Sequence, residues 1–277
     1  MPNSPGPPAM GKKLAPCPHF LLAWYMAGNL PDNPSWPAKL PGRRPEANFH
    51  WRGKEVSRIE NLADAVFGFA LTLLIVSTEV PRNFAGLMEV LRGFPTFVCS
   101  ALILVTFWNA HYRFFRRFGL EDSFTRMINY AILLMVLFAV YPLKFLFSAW
   151  MSGIFGGEHG VSISTLDELR WVFRLYGTGL AYIWLLFALL YWHAYKQRDA
   201  LQLSAVERIM TRADLCGFAI SVGVSSLSIG LTFLPVNPFL PGMIYFLIGI
   251  GLSANYSWHG RQARLVAAAG EPARAEE

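Results

Sequence analysis

Residues 58–81 read RIENLADAVFGFALTLLIVSTEVP. From Ala65 onward the stretch is apolar enough to cross a bilayer, yet Arg58, Glu60, Asn61 and Asp64 crowd its first two turns. A spanning helix needs roughly 20 mainly apolar residues, and a charge at the bilayer centre costs about 3 kcal/mol or more. Asp64 is shallower than that, but it still calls for a donor on a neighbouring helix. On α-helical geometry, Leu62, Ala65, Phe69, Thr72, Leu73, Val76 and Val80 share one face. Asp64 lies roughly 140° round the helix from Phe69, so it points away from that stripe. Spacing alone leaves two readings of Asp64: a polar clamp between packed helices, or a proton or ion site.

The rest of the chain has the same character. Of 277 residues, 54% are hydrophobic and 15% are charged, whereas soluble domains carry roughly 25% charged residues. Apolar runs predict an all-α, polytopic membrane protein with six spans, at about 58–79, 91–116, 124–149, 170–195, 209–234 and 238–258. Residues 1–57 read as a Pro- and Gly-rich, largely disordered tail, 58–258 as the six-helix membrane domain and 259–277 as a polar C-terminal tail. The apolar patch FLLAWYMAG (20–28) is too short to span, and six prolines in residues 1–18 argue against a cleavable signal. No internal repeat is evident.

Charge distribution orients the spans. Nineteen Lys and Arg fall on the side that includes the region before span one, the second and fourth connections and the C-terminal tail. Only Arg82, Arg92, Arg170 and Arg174 fall on the other side. The positive-inside rule then puts both termini in the cytoplasm of a cell whose inner (plasma) membrane holds the protein. The net charge of +6 is thereby a topology signal, and no nucleic-acid partner is implied. Cys17, Cys99 and Cys216 are scattered and odd in number, which predicts neither a disulfide framework nor a metal site.

Few residues invite chemistry. Span two ends FWNAHYRFFRRFGLED, where Trp108 and His111 share a face. Span three opens SFTRMINYAILL, with Asn129 at a depth similar to those of Asp64 and His111, so the three can meet in one network. His193 and His259 also lie at helix ends, but no spacing supports a haem or metal site. There is no phosphate loop, nucleophile elbow or HExxH motif, and neither an enzyme nor a cofactor is expected. The Gly and Ser residues of GFAISVGVSSLSIG, in span five, suit close helix packing.

The residues now assembled resemble a family. Arg58-Ile-Glu-Asn-Leu62-Ala63-Asp64 is similar to the Arg-x-x-x-Φ-Ser-Asp signature of the transmembrane protein 175 family of potassium channels. The likeness continues through span one, through Phe107-Trp108-x-x-His111, and through Asp122, Asn129 and Tyr141-Pro142. There are two departures from the pattern: Leu62-Ala63 stands for Phe-Ser, and Phe69 for Ile or Leu. The resemblance implies a homotetramer in the lipid bilayer that passes potassium ions, with span one lining a central pore. Phe69, Leu73 and Val76 would form a hydrophobic constriction, with the Thr72 hydroxyl beside it. Arg58, Asn61, Asp64, Trp108, His111 and Asn129 would tie span one to spans two and three. The alternative is a non-conducting scaffold or regulatory subunit of the same fold, which the bulk of Phe69 favours.

Overall fold

The computed structural model describes residues 49–53, 55–76, 80–155, 165–237 and 240–270. The regular elements among those residues are all helices, in the order α1 (Arg58–Val76), α2 (Phe84–Arg92), α3 (Phe94–Phe118), α4 (Ser123–Phe155), α5 (Leu166–Lys196), α6 (Ala205–Leu231), α7 (Leu240–Met243) and α8 (Phe246–Gly270). Among the described residues five helices are long and apolar enough to cross a membrane: α1, α3 with α2 leading into it, α4, α5 and α6. The sixth expected span, 238–258, is divided differently. The turn at 244–245 separates α7 from α8, and α8 runs on to Gly270. The Ala, Arg and Leu residues after His259 are good helix formers, so the helix persists where hydropathy has fallen.

Local chemistry sets the helix ends. Ser57 and Glu60 form a capping box at the start of α1: Ser57 N donates to Glu60 Oε1 at 3.1 Å, and Glu60 N donates to Ser57 Oγ at 3.2 Å. Ser204 and Glu207 repeat the device at α6. Gly119 ends α3 in the left-handed conformation, φ 59°, with its N–H on Phe115 O. That αL cap leaves room for the sharp return into α4.

Helix α1 lays Ile59, Ala63, Phe67, Ala70 and Leu74 against the bundle, a spacing of three and four that makes one continuous face. It rests on α3 and α4. A second group forms where α5 packs on α6 and α6 on α8, and the two groups meet mainly along α4–α5. Aromatic rings fill the junction: Phe107 stacks on Phe187, Phe187 on Phe218, and Tyr191 meets Phe114, Phe118 and Phe218. Lipid is as apolar as these side chains, so shape and ring geometry, rather than transfer from water, hold such a bundle together. Each well-oriented ring pair contributes about 0.5–1.5 kcal/mol. The small residues of α6 divide by role. A side chain at Gly217 would meet Leu252 and Tyr256 of α8, whereas Gly223 and Gly230 face open space.

Candidate functional site

Asp64 stands two turns into α1, and its Oδ1 accepts from Trp108 Nε1 of α3 at 2.7 Å. Trp108 in turn stacks on Tyr112, ring centres 5.6 Å apart. Three residues beyond Trp108, the buried His111 ring reaches Asn129 Oδ1 of α4 at 2.7 Å. An amide oxygen only accepts, so His111 Nε2 is the donor. Phe67, from the packed face of α1, lies over that imidazole at 6.0 Å. The polar residues thus form two bonded pairs, α1 to α3 and α3 to α4, in place of one direct network. Arg58 and Asn61 stand exposed at the start of α1 and join neither pair.

The opposite face of α1 has no covering element among the described residues. Phe69 is 58% exposed and Val76 69%, although both are apolar. Thr72 is exposed between them, and its hydroxyl donates back to Gly68 O at 2.9 Å. Leu73 differs: it is half-buried and packs against the core. An apolar face studded with one hydroxyl offers no nucleophile and no ligand set. Among the described residues no group of three or more His, Cys, Asp or Glu side chains could hold a metal ion. His193 Nε2 lies 2.7 Å from Asp122 Oδ2, and His259 Nδ1 lies 3.0 Å from Asn255 O.

Several ionic contacts escape sequence reading. Arg117 of α3 donates to Asp214 of α6 at 2.5 Å, both side chains 4% exposed, and Tyr256 of α8 donates to the other carboxylate oxygen at 3.0 Å. Asp214 inside the apolar run DLCGFAI was the available signal, since an intramembrane carboxylate needs a partner. Arg52 pairs with Glu207 through both guanidinium ends at 3.0 Å. Asp122, in the connection between α3 and α4, feels burial that opposes its ionisation. Hydrogen bonds from Thr125 and His193 outweigh that effect and hold the carboxyl below its ordinary range.

Residues 58–140 match the family described as "Endosomal/lysosomal potassium channel TMEM175". A "Potassium channel" of Marivirga tractuosa is 37% identical over 214 residues, covering 72% of this chain and 86% of that protein. "Potassium channel Cha6605_3372" of Chamaesiphon minutus is 27% identical over 96 residues, covering 32% of this chain and 47% of the relative. A crystal structure of the potassium channel MtTMEM175, a variant in complex with a nanobody fusion, superposes with a TM-score of 0.69 at 32% identity, over 77% of this chain and 97% of that one. The chain belongs to the TMEM175 family.

Proposed function

We propose that four copies of this chain assemble around α1 into a potassium-permeable cation channel of the inner (plasma) membrane. The reading is carried by one observation: α1 packs one face on its own subunit and leaves an apolar face bare at Phe69 and Val76. The names of its relatives, potassium channels, agree with it. Around a fourfold axis Phe69 and Val76, with the half-buried Leu73 behind them, form a dry throat in which an ion sheds part of its hydration, a known basis of gating and selection. Thr72 supplies a hydroxyl beside it. The Asp64–Trp108 bond holds the pore helix against α3, and His111–Asn129 ties α3 to α4, while the exposed Arg58 and Asn61 take no part. With α8 counted as the sixth span, both termini lie on the side rich in Lys and Arg, which the positive-inside rule makes cytoplasmic.

A second reading, a non-conducting scaffold of the same fold, draws on Phe69 itself. Four phenyl rings fill more space than four Leu side chains. A cation gains about 0.5–2 kcal/mol over a ring face, but edge-on rings offer no such return. Potassium and sodium flux into liposomes holding equal amounts of protein separates the readings. Native flux should be low but selective for potassium. Phe69→Ala should raise flux and weaken the preference, and Phe69→Leu should fall between them. No flux from any of the three supports the scaffold. Flux that ignores residue 69 removes it from the constriction.

A further inference from the structure

Residues 49–53, ahead of α1, are bound to the α5–α6 connection and the start of α6 chiefly through Arg52. Arg52 uses all five of its N–H donors. Nε donates to Leu201 O at 2.8 Å, Nη1 to His50 O and Glu207 Oε1, both at 3.0 Å, and Nη2 to Gln202 O at 3.2 Å and Glu207 Oε2 at 3.0 Å. Glu207 is equally committed: besides the guanidinium, its carboxylate accepts His50 N at 2.7 Å and Ser204 N at 2.8 Å. Gln202 adopts φ 50°, the one positive φ outside glycine among the described residues. Side-chain-bearing residues rarely adopt that conformation, and it persists where surroundings impose it. Here its carbonyl is one of the acceptors of Arg52.

The geometry is placed where it bears on α1. Gly53 exchanges hydrogen bonds with Arg116 of α3, and Ser57, four residues later, caps α1. That reach is at most about 14 Å of extended chain. Yet α1 itself packs on α3 and α4, with no extensive contact to α5, α6 or α8 among the described residues. We infer that the Arg52–Glu207 pair is a positioning clamp: it fixes the start of the pore helix to the α5–α6 half of the subunit and so sets the fraction of time the pore is open. The inference rests on the pore reading of α1.

Arg52→Lys tests it, because lysine keeps the charge and the stem but lacks the planar fork. Single-channel recordings from the purified full chain in planar bilayers should show an open fraction changed about fivefold or more, the usual lower range of coupling between two sites. Unitary conductance and the potassium-to-sodium permeability ratio should stay native. Asp199→Asn breaks the exposed Arg208 pair on the same connection and should behave as native. A second readout needs no conduction. Spin labels on Val56→Cys and Ala200→Cys, with Cys17, Cys99 and Cys216 replaced by Ser and the labelled chain diluted in excess unlabelled cysteine-free chain, should give one narrow distance within a subunit that broadens or shifts with Arg52→Lys. An unchanged distance, an unchanged open fraction, an equal effect from Asp199→Asn, or loss of assembly in Arg52→Lys would each overturn the clamp. Phe69→Ala in the same recordings keeps the two ideas apart. Native conductance there removes the pore reading, whereas native behaviour of Arg52→Lys alone removes only the clamp.

Discussion

Asp64 takes its hydrogen bond from an indole and Asp122 takes one from an imidazole, and their positions set what each substitution does. Asp64→Ala removes the acceptor of Trp108 Nε1 at an exposed contact between α1 and α3, at a cost of about 0.5–1.5 kcal/mol. Because Asp64 points off the Phe69 stripe, tetramer yield and melting temperature should fall while the potassium preference of what assembles stays native. Size-exclusion profiles with parallel flux measurements check both halves of that statement. Asp122 answers to pH. A carboxyl held low in the folded state stabilises fully above its free value of about 3.9, and that contribution is lost as pH falls through the lower folded value. Native melting temperature should therefore drop below about pH 4, and Asp122→Asn should flatten the drop. The azimuth of Asp64 was legible from helical periodicity, but its partner was not. A wheel gives direction around one helix and says nothing of which neighbour stands there, so His111 was placed with Asp64 where Trp108 in fact bonds to it.

At the scale of elements, long hydropathic runs located α1 and α3–α6 well, since only helices satisfy every backbone group in lipid. The divided end of the chain was less legible: hydropathy falls across α8, while helix propensity does not. The α1 lead-in was harder still. Its sequence, FHWRG, carries no periodicity, and its order comes from bonds to residues about 150 positions away. Gly53 makes that order testable. A side chain there would lie 2.5 Å from Phe115 O, a backbone atom that cannot swing aside. Gly53→Ala should loosen the lead-in at a cost of about 1–3 kcal/mol. Limited proteolysis ahead of Ser57 should quicken, while the helical content read by circular dichroism stays native.

For the whole molecule, the unpartnered face of α1 demands company. Mass measured in native nanodiscs should correspond to four chains, and a uniform monomer or dimer would sink the pore. The ion pair Arg117–Asp214 adds a constraint of another kind. Its members lie 97 residues apart in sequence, and chains grow at about 5–20 residues per second. Arg117, at the end of α3, is therefore made roughly 5–20 s before its counter-charge. During that interval the buried-to-be guanidinium of α3 waits for its Asp214 partner until α6 arrives. Asp214→Leu would prolong the wait indefinitely. Its signature is nascent chains that remain crosslinked to the insertase and are cleared by membrane proteases, a defect of birth rather than of permeation.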